Sequence, residues 1–156
     1  MTAADIDWST LNLATAVSYD SGCNDDEGTG SSCVSATVTL DNIGWITINA
    51  TGTWDTYAFD DTFGANSGAD DVNAVQGTCR LRFDGTSLGY PQVVGEADAS
   101  GTGFPVHPSN LEGTLALTAR TPSVPAGDHT VDLFCAETDG DIDFNNLNLT
   151  AQGSIG

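Results

Sequence analysis

Apolar and polar residues alternate one by one along much of the chain, and this pattern constrains the fold more than any other feature. The clearest stretch is 124–152, where His129, Val131, Leu133 and Cys135 fall on every second position. A period of two is that of a β-strand, whose successive side chains point to opposite faces. The stretch therefore predicts strands with one buried face.

Turn residues divide this stretch. The run 125–128, PAGD, combines the fixed φ of proline with a glycine and predicts a turn. Asp139-Gly140 is a dipeptide typical of two-residue hairpin turns. Alternation resumes at Ile142 and changes phase at Asn145-Asn146. We therefore predict one long antiparallel hairpin near the C-terminus.

Further strands are predicted upstream, and turns rich in Gly, Pro and Asp separate them. No long window has the 3.6-residue period of a helix. The segment 45–59 is predicted as one long strand or as two strands broken near Gly52. The fold class is therefore all-β, an antiparallel β-sandwich with an extended N-terminal arm. The other predicted strands include 34–40, 78–83 and 113–120.

A length of 156 residues indicates one domain. We divide it into an N-terminal arm with a disulfide-clipped loop, 1–34, and a single β-sandwich, 35–156. The arm has little periodicity, and its apolar residues Trp8, Leu11 and Leu13 are the predicted subunit contacts. Such an arm can add a strand to the body or to a neighbouring subunit.

The four cysteines, in a short chain without CxxC or His/Cys spacing, predict disulfides rather than zinc. Cys23 and Cys33 would clip a polar loop. Cys79 and Cys135 both fall on predicted inward faces, as a bridge in the core requires. Disulfides imply an oxidising location.

The expected location is extracellular or on a virion surface. Residues 1–5 have neither the basic nor the apolar part of a secretion signal, which suggests a removed leader or release by cell lysis. No apolar run approaches the roughly 18 residues of a transmembrane helix, so membrane insertion is not expected.

Acidic residues dominate the charge: 22 Asp and Glu oppose 3 arginines, for a net charge of −19, and there is no lysine. Binding to nucleic acid is not expected, because no cationic surface can contact phosphates. Anionic membranes are disfavoured for the same reason. Solubility through self-repulsion is the simplest use of this charge.

Catalytic motifs are missing, so we do not expect an enzyme. The two histidines, His107 and His129, follow turn or loop patterns, and no GxSxG motif is present. A glycosidase would use two carboxylates in a cleft. Glu96, Glu112 and Glu137 are candidates, but nothing in the sequence marks one pair.

Calcium is the candidate cofactor. Asp139, Asp141 and Asp143 are hard oxygen ligands at alternate positions, although the segment departs from the EF-hand loop because Phe144 occupies the glycine position. Solvated acidic turns are the alternative interpretation.

Glycan binding would use exposed aromatic side chains on a β-face. Core packing is the alternative for each of them, because tryptophan in a sandwich is commonly buried. The available residues are Trp8, Trp45, Trp54, Tyr57 and Tyr90.

The C-terminal sequence PAGDHTVDLFCAETDGDIDFNNLNLTAQ resembles the last hairpin of C1q/TNF-like jelly-roll modules of phage and extracellular structural proteins. The resemblance covers about residues 113–156. It implies a jelly-roll sandwich, often trimeric, used for display, decoration or receptor contact. The chain departs from this pattern in its disulfides and its lack of lysine, and the resemblance assigns no binding residue.

The sequence thus favours a non-enzymatic structural protein of an extracellular assembly. The expected setting is a virion surface (capsid decoration, head fibre or tail protein) or a filament, with other copies or subunits of the same assembly as partners. The alternative is a Ca²⁺-dependent carbohydrate-binding module with a glycan as partner.

Overall fold

The computed structural model describes residues 15–23, 30–56, 74–97, 112–139 and 142–155. These residues form strands joined by turns, and no helix long and apolar enough to cross a membrane occurs among them. The strands are β1 (Thr15–Cys23), β2 (Ser31–Leu40), β3 (Gly44–Thr56), β4 (Ala74–Phe83), β5 (Thr86–Ala97), β6 (Glu112–Arg120), β7 (Gly127–Asp139) and β8 (Ile142–Ile155).

The strands form two four-stranded antiparallel sheets. Sheet A has the order β1-β8-β3-β6, and sheet B has the order β2-β7-β4-β5. The first strand pairs with the last, the second with the seventh, the third with the sixth and the fourth with the fifth. This is the winding of a jelly roll. The prediction of an all-β, jelly-roll-like sandwich is confirmed.

The predicted C-terminal hairpin is wrong, because β7 lies in sheet B and β8 lies in sheet A. The two strands pack their apolar faces against each other across the core, where Leu133 and Phe144 are both fully buried. A one-sided apolar pattern predicts only that a strand has a buried face, and facing sheets satisfy it as well as a hairpin does. The chain's other Asp-Gly pair, Asp84-Gly85, does form a hairpin turn between β4 and β5, with φ values of 46° and 76°.

The first strand begins inside the segment predicted as an arm. Residues 15–23 pair with β8 over almost their whole length, so the sandwich starts before residue 35. In β1 the larger apolar side chains lie on the outer side of the sheet, because Val17 and Tyr19 point to solvent. Ala16 packs on the core instead. The predicted subunit contacts Trp8, Leu11 and Leu13 lie outside the described residues.

Both predicted disulfides are present. Cys23–Cys33 joins β1 of sheet A to β2 of sheet B. Cys79–Cys135 joins two neighbouring strands of sheet B and lies on the core side, with both residues fully buried. The sequence separations of 10 and 56 residues correspond to stabilisations of about 3 and about 4 kcal/mol in the chain-entropy model. Both bonds indicate an oxidising compartment.

Candidate ligand-binding face

The outer surface of sheet A is an array of uncharged polar side chains, which we call the polar face. Residues opposite each other in an antiparallel ladder share a face, so the register aligns the array in rows across the strands. Of the five rows given below, only the first and the last contain charged residues. The rows are Thr15–Gln152–Thr47–Arg120, Val17–Thr150–Asn49–Thr118, Tyr19–Asn148–Thr51–Ala116, Gly22–Asn145–Thr53–Thr114 and Asp143–Asp55–Glu112.

A β-bulge interrupts the polar face in β8. The register against β3 shifts between Thr51 and Thr53, and Asn146 adopts a left-handed conformation with φ of 51°. Asparagine is one of the few residues that tolerates this region. The phase change at Asn145-Asn146 was visible in the sequence, and bulges are frequent next to functional sites.

A cleft of about 610 Å³ opens beside this bulge. Asn145 and Asn146 of β8 form hydrogen bonds to β3 at this cleft. Asn145 Nδ2 donates to Asp55 Oδ1 at 3.0 Å, and Asn146 Nδ2 donates to Thr53 Oγ1 at 3.3 Å. Carboxylate, amide and hydroxyl groups therefore meet in one depression. The lining residues are Thr53, Trp54, Asp55, Glu112, Gly113, Thr114, Asn145 and Asn146.

Tyr19 extends the cleft with an aromatic surface. Its hydroxyl donates to Asn146 Oδ1 at 3.4 Å, although Asn148 is its partner in the ladder. The side chain therefore runs along the sheet towards the cleft. It remains 62% exposed. Sequence analysis did not select Tyr19, because β1 was assigned to the arm.

The aromatic residues that the sequence did select have other positions. Trp54 shares the inward side with its ladder partner Phe144 and packs against the core. Its ring covers Gly113, where a Cβ atom would lie 2.3 Å from the ring. The Trp45 ring is stacked under the Arg120 guanidinium at 4.1 Å. Tyr90 lies on β5 and is 93% exposed. Trp8 and Tyr57 are outside the described residues.

The predicted calcium ligands are only partly described. Asp143 lies on β8 in register with Asp55, which in turn opposes Glu112 on β6. Asp141 and the side chain of Asp139 lie outside the described part of the chain. Among the described side chains, no group of three or more Asp, Glu, His or Cys is placed to hold a metal ion. The calcium site stays a prediction.

The catalytic candidates do not converge on the cleft. Of the three glutamates, Glu112 lines it. Glu137 is buried and its Oε1 accepts a hydrogen bond from Ile142 N at 3.3 Å. The side chain of Glu96 and all of His107 lie outside what the structure describes.

His129 is buried in a structural role. Its Nδ1 lies 2.9 Å from Asp84 Oδ2 and its Nε2 lies 3.0 Å from the Pro125 carbonyl oxygen. Both partners can accept, so the site favours the protonated ring, in which both nitrogens donate. Burial acts to lower the pKa of His129, but the Asp84 hydrogen bond, the Pro125 carbonyl and nearby carboxylates outweigh it and raise the pKa.

The outer surface of sheet B differs, and we call it the ionic face. Arg82 donates from Nε to Asp132 Oδ2 at 3.0 Å and from Nη2 to the same carboxylate. The guanidinium groups of Arg82 and Arg80 lie 4.1 and 5.5 Å from the Phe134 ring centre. The alternation of β4 and β7 places Arg82 and Asp132 on the outer side of sheet B, where an exposed pair would be expected. The pair exists, but Asp132 is buried, with a side chain only 6% exposed.

No family model matches the chain, and no curated protein matches it. Among solved structures, the chain is similar to the C-terminal CBM6 of LamC, a marine laminarinase from Zobellia galactanivorans. The two are 15% identical, with 89% of this chain and 99% of that chain covered and a TM-score of 0.26.

Proposed function

We propose that the protein is a non-catalytic module that binds a neutral glycan on the polar face. The observation that supports this most directly is the cleft, with the exposed Tyr19 tied to one of its lining residues, Asn146. Binding sites are typically depressions with a few placed polar groups and an aromatic surface.

The chemistry of the cleft suits a polyhydroxylated ligand. Asparagine amides supply donors and acceptors, threonine hydroxyls supply both, and the carboxylates of Asp55 and Glu112 accept. Sugar hydroxyls require both kinds of partner at fixed spacings. Tyr19 offers an amphipathic ring, whose apolar surface packs on sugar C–H groups while its hydroxyl stays hydrogen-bonded.

The charge distribution favours a ligand without negative charge. Arg120 is the basic residue in the rows of the polar face. It lies at the opposite end of this face from Asp55 and Glu112, and it stacks on Trp45. The chain also carries a net charge of −19. Uronic or sulfated sugars would meet repulsion at the cleft.

Calorimetric titration with neutral gluco-, xylo- and manno-oligosaccharides tests the proposal. The polar face is roughly 27 Å long between Thr47 and Asp55, so oligomers that span this length are the appropriate probes. We expect saturable binding to at least one neutral series and none to oligogalacturonate. Repeating the titration with EDTA tests the calcium requirement separately. Absence of binding to every neutral series contradicts the proposal.

Variants locate the binding surface. Tyr19→Ala should weaken binding up to about tenfold, since an aromatic contact contributes roughly 0.5–1.5 kcal/mol. Tyr19→Phe keeps the ring and should lose little. Thr37→Ala on the exposed outer surface of β2 is the matched control and should leave the affinity unchanged. Equal effects of the Tyr19→Ala and Thr37→Ala variants would place the ligand elsewhere.

A structural role in an extracellular assembly is the second candidate. The exposed apolar residues Tyr90 and Val93, 93% and 57% exposed on edge strand β5, favour it. Light scattering at low and high salt, before and after removal of residues 1–14, tests it. A particle larger than a monomer that falls apart on trimming supports an arm-mediated assembly. A monomer in every condition contradicts it.

A further inference from the structure

The edge of β6 is occupied by a side chain from the opposite sheet. Among the strands that the structure describes, β6 is the outermost strand of sheet A beyond β3. Gln92 on β5 donates from Nε2 to the Thr114 carbonyl oxygen at 3.2 Å and accepts at Oε1 from Ala116 N at 3.0 Å. The Gln92 amide thus fills two positions of the ladder that a neighbouring strand would use. A strand edge whose backbone groups are not paired with another strand is a template for pairing with a second chain.

The sequence of β6, EGTLALTAR, is self-complementary about Ala116. In an antiparallel pair centred on Ala116, Glu112 opposes the partner subunit's Arg120, and Thr114 opposes the partner subunit's Thr118. Opposite charges placed directly across a ladder are favourable. Within the described residues neither Glu112 nor Arg120 forms an ion pair, and both are exposed. Arg120 stacks on Trp45, but neither residue has an oppositely charged partner there, so both charges can pair with a second copy.

The backbone agrees with this register. The N–H and C=O groups of one strand residue point to the same side, and successive residues alternate. Gln92 bonds to Thr114 and Ala116, so the even-numbered residues of β6 direct their backbone groups to the free edge. These are the residues that pair about Ala116. One register therefore satisfies both the hydrogen bonds and the charges.

We infer that this edge of β6, which no described strand covers, is a pairing site for a second copy of this chain, in a two-fold dimer in which backbone bonds replace those of Gln92. The two copies are related by a two-fold axis perpendicular to the sheet, and sheet A of one copy continues into sheet A of the other. Both polar faces then lie on the same side of the dimer. The exposed Tyr90 and Val93 lie on β5, the strand that Gln92 connects to this edge.

A charge exchange tests the register. Sedimentation equilibrium of the full chain at about 0.15 M salt, where repulsion between distant charges of two copies of net charge −19 is largely screened but directly opposed charges still interact, should show a concentration-dependent dimer. Glu112→Arg and Arg120→Glu each place like charges opposite each other twice, and each should weaken the dimer roughly tenfold. The double exchange restores both pairs with unchanged net charge and should restore the dimer. Single and double variants that dimerise equally would overturn the inference.

Two further variants test the edge itself. Gln92→Ala removes the competing amide and should strengthen the dimer. Ala116→Pro removes the central donor and should abolish it; proline is tolerated on edge strands, and a thermal unfolding transition checks that the variant folds. A chain that stays monomeric at every concentration, including with Gln92→Ala, contradicts the inference. Neither measurement depends on a glycan ligand.

Discussion

The two outer faces of the sandwich use polar residues in opposite ways. On the ionic face, Arg82 is bound to the buried Asp132 and stacked on Phe134, so its groups are satisfied within the fold. On the polar face, most side chains are uncharged and exposed, and the hydrogen bonds between them, such as those from Thr118 to Asn49 and from Asn146 to Thr53, involve no ion pair. In a chain with 3 arginines and 22 acidic residues, charge thus contributes to stability on one face, while the other consists mostly of neutral side chains.

The largest expected effect is the loss of the buried ion pair. Arg82→Ala leaves the Asp132 carboxylate buried without its partner, and we expect a loss of about 3 kcal/mol in the free energy of unfolding. Arg120→Ala on the polar face removes an exposed cation–π contact and should cost less than about 1 kcal/mol. Denaturant unfolding with the disulfides intact measures both. Similar losses would show that the two faces do not differ in this way.

The packing of Phe134 gives the next prediction. Gly30 has a φ of 67°, and a Cβ atom there would lie 2.5 Å from two ring carbons of Phe134. Gly30→Ala should therefore cost about 2–3 kcal/mol, from backbone strain and overpacking together. Gly89 has the same φ of 67° but no atom within 4 Å of its Cβ position, so Gly89→Ala isolates the backbone cost, which should be about 1 kcal/mol. Equal losses would mean that Phe134 moves aside without cost.

The ion pair between His129 and Asp84 predicts a pH dependence. The pKa of His129 is raised on folding, so its contribution is complete below its unfolded value of 6.5 and is lost as pH rises through the folded value. For Asp84, burial acts to raise the pKa, but hydrogen bonds from His129 and Thr130 lower it overall. Its contribution is present above the unfolded value of 3.8 and is lost as pH falls through the folded value. The pair stabilises the fold most between these two limits.

Unfolding free energies measured from pH 5 to pH 9 test this dependence. The wild-type protein should lose stability above pH 6.5, and His129→Gln should lose less over the same interval. Thr37→Ala, on the exposed outer surface of β2, is the control and should follow the wild type. A wild-type profile that stays flat above pH 6.5 contradicts the protonated state inferred for His129.

Sequence patterns predicted most of the strands, though not β1, and both disulfides, because burial imposes a period of two on each strand by itself. They did not predict which strands pair. Leu133 and Phe144 have the same inward pattern whether β7 and β8 share a sheet or face each other across the core. Of the two Asp-Gly pairs, the one at Asp84 forms a hairpin, while β7 and β8 on either side of Asp139-Gly140 belong to different sheets.

The candidate site was harder to predict than the fold. Its cleft depends on residues from β3, β6 and β8 that only the sheet register brings together. The phase change at Asn145-Asn146 was the one local signal. Tyr19 was missed because its strand carries its apolar residues outward, which is the reverse of the pattern used to recognise strands.

The smallest expected effects test whether burial, rather than the identity of the face, causes the contrast. Thr118 Oγ1 donates to Asn49 Oδ1 at 2.9 Å on the polar face, and Thr39 Oγ1 donates to Asp128 Oδ1 at 2.6 Å on the ionic face. Both pairs are exposed, so Thr118→Ala and Thr39→Ala should each change the unfolding free energy by no more than about 0.5 kcal/mol. A much larger loss for Thr39→Ala would mean that the ionic face is stabilised along its whole length. Two small losses would mean that the contribution of the ionic face to the unfolding free energy comes from the buried Arg82–Asp132 pair and the residues around Phe134.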